Sequence, residues 1–460
     1  MKDYQSWGRY PRTTPEEVKP VFWQDGLPDL SEITGSVLPY AYGRSYGDSC
    51  LNEGNTLLDM STLNRFLAFD EANGIIRCEA GVLLSTILDI IVPRGWFLPV
   101  TPGTKFVSVG GAIANDVHGK NHHTSGTFGC HVTQFELLRS NGDRFICSPT
   151  ENVELFRATI GGLGLTGVIL WAEFRLKAIN NAFVDIEHIR FSNLEEFFEL
   201  SDQSDHSFEY HVSWLDCLAV GKSMGRGIFM RGNHNRSKFR SRTATTPTLP
   251  VSVFFDMPSQ VLNPVTMKVF NTGYYSIHLK KVTRKTIHYN PFFYPLDAVP
   301  EWNRLYGKSG FLQYQLVVPF DGDNYDVFKE ILGRIGKSGA GSFLAVLKTF
   351  SDFKSPGMLS FPRPGVTLAL DFPFHGQKTL DLLEQLDEVV RQSNGAVYPA
   401  KDARMSPESF QQFYPNWREF AQYIDPKFSS SFWRRVTVPL ENGPAAQADA
   451  EAELAAPANS

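Results

Sequence analysis

The 460-residue chain has no C-x-x-C pair, and its five cysteines (Cys50, Cys78, Cys130, Cys147 and Cys217) are scattered and odd in number. Those absences exclude a disulfide scaffold and a cysteine zinc site, and they suit synthesis in a reducing compartment. No apolar run is long enough to span a bilayer; the longest, residues 82–92, is broken by Ser85, Thr86 and Asp89. The first residues, MKDYQSWGRYPRTTPEEVKP, lack the apolar core of a Sec signal peptide. An excess of positive charge is also missing, and the formal net charge of -5 argues against a nucleic-acid partner. There is no internal repeat at solenoid periods. What remains, 42% hydrophobic and 20% charged residues, is the composition of an ordinary globular protein. Its length suits two domains, because single cores stop growing near about 250–300 residues.

Periodicity supplies the first layer of organisation. Residues 38–50, LPYAYGRSYGDSC, read as a loop, followed by strands expected over 55–59 and 74–80. Apolar positions 83, 84, 87, 88, 91 and 92 keep helical spacing and stop at Pro93 and Gly95, which predicts an amphipathic helix. Residues 132–147 read as a hairpin turning on Asn141-Gly142 in a two-residue loop. A helix is expected over 151–160 and a strand over 168–176. Near residue 180 phenylalanine becomes frequent, and strands alternate with helices expected over 192–200, 325–335 and 379–390. In FLQYQLVVP the strand period puts Gln313 and Gln315 on one face with Phe311 and Val317, a candidate polar pocket wall. The same period groups Thr367, Ala369 and Asp371 in VTLALDF. Two basic clusters, RSKFRSR at 236–242 and KKVTRK at 280–285, read either as solvated faces or as contacts to an anionic phosphate or membrane surface. Ser406-Pro407 opens a helix in cap-then-first-turn order, and the alanine-rich tail beyond Asn442 reads as frayed.

The most informative stretch is residues 101–129, TPGTKFVSVGGAIANDVHGKNHHTSGTFG. Its density of glycine lets backbone approach a ligand closely, so it is expected to serve a ligand more than the core. In particular, VGGAIAN at 109–115 reads as exposed backbone N–H groups of the kind that hold a pyrophosphate. Three competing motifs fail. GLGLTG at 162–167 has a helix before it and a strand after it, the reverse of a Rossmann fingerprint. A P-loop would need glycine at Ala114 and Ser or Thr at Asn121. His118 and His122, four apart, lack the glutamate of a zincin helix and sit around a helix-weakening Gly119, so no metal is expected. Lys401 and Asp402 lie at the end of a short strand, a common place for reactive groups; the alternative is a solvated surface lysine.

GRSYGDS at 43–49, the PGT…SVGGAIANDVHGKNHH block, GGLGLTG at 161–167, FLQYQ at 311–315, LSFPRPG at 359–365, LDFP at 370–373 and YPAKDAR at 398–404 together span nearly the whole chain. This combination resembles the flavoprotein oxidoreductases of the vanillyl-alcohol oxidase type, with the closer likeness to the oxidase subunits of decaprenylphosphoryl-β-D-ribose 2′-epimerases. The resemblance implies an α+β, two-domain flavoprotein. Residues 1–180 and 395–460 would form a discontinuous FAD-binding domain, and 181–394 a substrate domain with a mostly antiparallel sheet and flanking helices. It also implies cofactor contacts from Gly43, Arg44, Ser45, Tyr46, Gly47 and Asp48, from Gly103, Ser108, Val109, Gly110 and Gly111, from Asn115, Asp116, Val117 and His118, and from Val168 and Tyr398. Many relatives attach FAD through a histidine where this chain has Ser45, so noncovalent FAD is expected.

By the same resemblance Lys401, Tyr46 and His118 carry catalysis, while Lys120, Gln313, Gln315, Thr367, Ala369 and Lys401 meet the substrate. The implied reaction oxidises the 2′-hydroxyl of a polyprenyl-phosphoryl pentose to a ketone. A separate NADH-dependent short-chain reductase would complete the epimerisation. The implied location is cytoplasmic or peripheral at the cell membrane, with the periplasmic face left open. The best-known members carry asparagine and cysteine where this chain has Thr367 and Ala369, which leaves the sugar open. Two other readings stand beside this one: a soluble alditol or aldose oxidase using oxygen, and a lipid-phosphate-sugar binding protein that has lost catalysis.

Overall fold

The computed structural model describes residues 3–238, 241, 253, 255–258, 262–320 and 324–440. Three short strands open the chain: β1 (Glu17–Pro20) and β2 (Val37–Tyr40) flank the fully buried β3 (Thr56–Asp59), each parallel to it. An antiparallel sheet follows in the order β4-β5-β9-β7-β8, from β4 (Phe66–Asp70), β5 (Ile75–Glu79), β7 (Val132–Leu138), β8 (Arg144–Cys147) and β9 (Val168–Arg175). A short pair, β6 (Trp96–Phe97) with β10 (Lys177–Ala178), lies beside it. Helices α1 (Leu84–Ile91), α2 (Val109–Ala114), α3 (His122–Ser125) and α4 (Val153–Thr159) fill the connections. The expected helix at 83–92 forms because Leu84, Ile87, Leu88 and Ile91 share one buried face.

The later part of the chain builds an eight-stranded antiparallel sheet in the order β14-β11-β13-β12-β16-β17-β15-β18. Its strands are β11 (Phe183–Phe191), β12 (Tyr210–Leu215), β13 (Gly227–His234), β14 (Val282–His288), β15 (Phe311–Pro319), β16 (Ala345–Phe350), β17 (Gly365–Pro373) and β18 (Ala396–Val397). Around it run α5 (Leu194–Asp205), α6 (Pro264–Ser276), α7 (Tyr289–Phe293), α8 (Asn324–Ser338), α9 (Gln377–Gln392) and α10 (Pro407–Phe413). The last is capped by Ser406, whose hydroxyl accepts from the Ser409 N–H. The arrangement is α+β, and one apolar core crosses between the sheets: Leu38 and Leu57 pack with Leu316, Leu368 and Leu370. The early and late sheets therefore share one apolar core.

Two expectations need correction. The hairpin loop is longer than two residues: the Arg139 N–H donates to the Asp143 carbonyl, and Gly142, at φ 87°, closes a turn by donating to the Arg139 carbonyl. This is a turn followed by a left-handed glycine, which the Asn-Gly dipeptide alone cannot distinguish from a two-residue turn. The 101–129 stretch also serves the core more than its glycines suggest, because Val109, Ala112, Ile113 and Phe128 are wholly buried. Phe239, Arg240 and Arg242 of the first basic cluster, and the alanine-rich tail, lie outside the described residues. Among the described residues no helix is long and apolar enough to cross a membrane.

Candidate active site

Strands β15 and β17 pair with Gln313 opposite Asp371, Gln315 opposite Ala369 and Val317 opposite Thr367. Period two sends Gln313, Gln315, Thr367, Ala369 and Asp371 to one face, where they wall a cavity of about 940 Å³. The cavity is closed by residues 43–46, 101–104 and 117–120 and by Tyr398 and Lys401, which follow β18. Backbone hydrogen bonds set the first of these loops in place. The Tyr46 N–H donates to the Ala400 carbonyl at 2.9 Å, next to Lys401, and the Trp7 N–H donates to the Ser45 carbonyl at 2.8 Å. Gly47 is required here because a Cβ would lie 1.6 Å from the Asp402 carbonyl oxygen. Gly47→Ala is therefore expected to cost about 1–3 kcal/mol of stability and to loosen the loop, read as a lower melting temperature.

His118 lies at the centre. Its Nε2 is 3.0 Å from Gln315 Nε2, which also donates to Thr367 Oγ1 at 3.0 Å, and Thr367 in turn donates to the Leu316 carbonyl at 2.7 Å. Phe350, Tyr398 and Phe361 surround the imidazole with ring centroids at 5.0, 5.3 and 5.8 Å. Burial, reinforced by Lys348 and Lys401, pushes its pKa well below 6.5, so the ring is neutral. With Nε2 accepting from Gln315, the proton sits on Nδ1, a buried atom without a protein partner. That N–H is a donor held ready for a bound group.

Charge around this imidazole is mostly positive. Burial lowers Lys401 to about 8 against the opposing pull of Asp371, and lowers Lys120 to about 8 against Asp297. Lys348 is driven well below 10.5 by burial, then by Lys401 and Lys120. Lys348 Nζ donates to the Gly119 carbonyl at 2.9 Å and Lys120 Nζ to the Phe293 carbonyl at 3.1 Å. Lys401 is half-buried, with Nζ 5.6 Å from the Tyr46 ring centroid, so the surface-lysine alternative falls. Asp371 is raised to about 7 by burial, while the Gln313 amide donating at 2.6 Å and Lys401 hold it down. Lysines outnumbering carboxylates in a desolvated cavity favour an anionic ligand.

The cavity thus gathers Gly43, Arg44, Ser45, Tyr46, Gly103, Ser108, Gly110, Gly111, Asn115, Val117, His118 and Tyr398 with every expected substrate residue. Five expected cofactor residues do not line it. Gly47 packs on Asp402, and Asp48 is clamped by Arg435 at 2.7 and 2.9 Å. Val109 and Val168 are in the apolar cores. Asp116 accepts from Ser355, Ser360 and the Gly129 N–H, tying the loop down from behind. Nor does the 109–112 backbone offer free N–H groups: Val109 donates to Val82, Gly110 to Ala80 and Ala112 to Ser108. Glycine at 110 instead permits close packing, since a Cβ would sit 3.1 Å from that of Ala80.

Among the described residues His118 and His122 join no cluster of metal-ligating groups, whereas His123 does. His122 lies tilted against Phe350, ring centroids 4.7 Å apart, with burial lowering its pKa to about 3. His123, Asp205 and His211 bring ligand-capable atoms within 4.8 Å of one another: His211 Nε2 is 2.9 Å from Asp205 Oδ1 and His123 Nε2 bonds the Phe208 carbonyl, while the Nδ1 atoms of His123 and His211 have no protein partner. Sequence reasoning missed Lys348, although a lone lysine in AVLKTF, two residues before the aromatic wall at Phe350, carries a strand-period signal.

Residues 32–148 match the FAD binding domain family. Over 420 residues the chain is 36% identical to decaprenylphosphoryl-beta-D-ribose oxidase of Mycolicibacterium smegmatis, covering 87% of this chain and 89% of that one. The chain belongs to the decaprenylphosphoryl-β-D-ribose oxidase family. An uncharacterised Streptomyces coelicolor protein of the mprA 5′ region is 30% identical over 372 residues, 77% of this chain and all of that one. Human Delta(24)-sterol reductase is 32% identical over 117 residues, 25% of this chain and 23% of that protein. This oxidase is accordingly an FAD-dependent oxidoreductase with the vanillyl-alcohol-oxidase type of fold.

The residues fit that cofactor. Gly103 opens onto empty space where any Cβ would project, and Ala80, Val107 and Ile169 add apolar lining to the same cavity. Ser45 lacks the nucleophilic nitrogen of a flavin-linking histidine. Acid precipitation should therefore leave a colourless pellet and release all the flavin; a yellow pellet would show a covalent bond.

Proposed function

We propose that this oxidase converts the 2′-hydroxyl of a polyprenyl-phosphoryl pentose to the ketone, for reduction by a separate NADH-dependent short-chain reductase. The observation that carries the reading is the shape and charge of one continuous cavity. Its lining includes Lys120, Lys401, Lys348 of β16 and the Gln313–Gln315 wall of β15, and, from β12, β13 and β14 on the other side of β16 and from α6, Trp214, Met230, Ile287, Phe270 and Tyr274. A phosphate suits the lysines, a sugar the glutamines and a polyprenyl chain the apolar arm. In the same proposal, residues 1–180 and 395–460 bind FAD and 181–394 bind substrate, and the protein works in peripheral contact with a membrane.

FAD, when bound, supplies the acceptor for the hydride that leaves the carbinol carbon. The chain supplies the rest. Lys401, neutral, takes the hydroxyl proton, and Tyr46, whose ring lies 5.6 Å from Lys401 Nζ, fixes its direction. Lys120 and Lys348, which a bound phosphate would hold charged against their burial, neutralise that phosphate, while Gln313, Gln315 and His118 Nδ1–H orient the sugar. These demands oppose each other in pH. Lys401 becomes competent as pH rises through about 8, while Lys120 loses its charge over the same range. A bell-shaped kcat/KM profile follows. Asp371 raises Lys401, so Asp371→Asn should move the ascending limb to lower pH; an unmoved limb would separate the two groups.

The direct test is anaerobic: adding polyprenyl-phosphoryl ribose should bleach the flavin absorbance, and an unchanged spectrum would overturn the reading. Thr367 and Ala369 face the sugar position and leave room for a soluble alditol or aldose oxidase, but the apolar arm has no use for a free polyol. Rapid peroxide formation with free sugars would favour that alternative.

A further inference from the structure

Helix α6 is apolar on the side where a surface helix is ordinarily polar. Met267 points inward and is buried, yet Val265, Val269 and Ile277, spaced four and eight apart along the outward face, are 71%, 68% and 69% exposed. Leu279, just beyond the helix, is 82% exposed. Single exposed aliphatic residues are ordinary, but a contiguous apolar face on a surface element marks an interaction site. Lys268, Lys280 and Lys285 are exposed around it, while Lys281 and Arg284 are paired with Glu196 and Glu187. The rim is therefore basic in a chain whose net charge is -5.

The face is continuous with the active-site cavity. Phe270 and Tyr274 of the same helix, with Lys285 and Ile287 of β14, line the apolar arm of that cavity. We propose that α6 and the segment through Leu279 dock on an anionic lipid bilayer, with the apolar side chains in the acyl boundary and the lysines at the headgroups. The role of the docked state, delivery of the prenyl chain into the arm, rests on the substrate reading above; the docking itself rests on the surface. A second copy of this chain fits the face poorly, because a two-fold interface would set the same lysine rim against itself. Interfacial helices of this build gain affinity from buried apolar area and from attraction to anionic lipid.

The flavin-loaded protein is mixed with phosphatidylcholine vesicles with or without phosphatidylglycerol and sedimented. Binding is expected to the anionic vesicles, to weaken with salt, and to fall about tenfold or more in Val269→Glu/Ile277→Glu/Leu279→Glu. These side chains project into solvent, so the flavin spectrum and circular dichroism of the variant should match wild type. Lys268→Glu/Lys280→Glu should weaken binding to anionic vesicles and leave the weak background on phosphatidylcholine unchanged. Absence of wild-type binding, undiminished binding by the triple variant, or a concentration-dependent dimer that the triple variant abolishes would each overturn the proposal. Bleaching by detergent-dispersed polyprenyl-phosphoryl ribose separates the two claims. The triple variant should bleach like wild type there; failure of both proteins to bleach, with vesicle binding intact, would sink the substrate assignment and leave docking standing.

Discussion

Lys401→Ala is expected to keep its FAD and to lose anaerobic flavin reduction by roughly 10²–10⁴-fold, the usual contribution of a positioned general base. Retention follows from the geometry: the residues proposed to cradle the cofactor include Tyr46, whose N–H donates to the Ala400 carbonyl, a backbone bond which the substitution leaves alone. Loss of rate follows from chemistry. Lys401 is the amine that burial brings down to about 8 beside the Gln313–Asp371 wall, whereas Tyr46 is pushed far above its ordinary value by burial and cannot accept the proton in its place. Normal bleaching in the variant would remove Lys401 from the mechanism.

Lys348→Met should act on binding. Its Nζ is anchored to the Gly119 carbonyl in the HGK loop, and burial, then Lys401 and Lys120, lower its pKa. Methionine keeps the length of the side chain and removes the charge. A charged hydrogen bond is worth about 1.5–3 kcal/mol, so KM for the lipid-phosphate substrate should rise about 10- to 100-fold with kcat changed much less. Equal losses in kcat and kcat/KM would instead place Lys348 in the transition state.

Much of the site was legible because short motifs name it. GRSYGD, HGKNHH and AKDAR lie far apart in the chain, and the fold brings Tyr46, His118 and Lys401 into one cavity. The glutamine and threonine walls followed from strand period alone, confirmed by the β15–β17 register. What was hidden depends on distant partners. The N–H groups of Val109 and Gly110 look available until Val82 and Ala80 supply acceptors. The Asp116 carboxylate looks unpartnered until Ser355 and Ser360 close on it from the far half of the chain. Lys348 carried a local signal, but only the neighbouring strands β12 and β17 show which way β16 faces.

The central claim is that the pentose C2′ loses its hydrogen in this cavity. Anaerobic stopped-flow reduction with polyprenyl-phosphoryl ribose, unlabelled and deuterated at C2′, tests it directly. Bleaching that is slowed several-fold by deuterium at C2′ is the expected result. Absence of bleaching, or bleaching indifferent to deuterium at C2′ but slowed by deuterium at another sugar carbon, would contradict it.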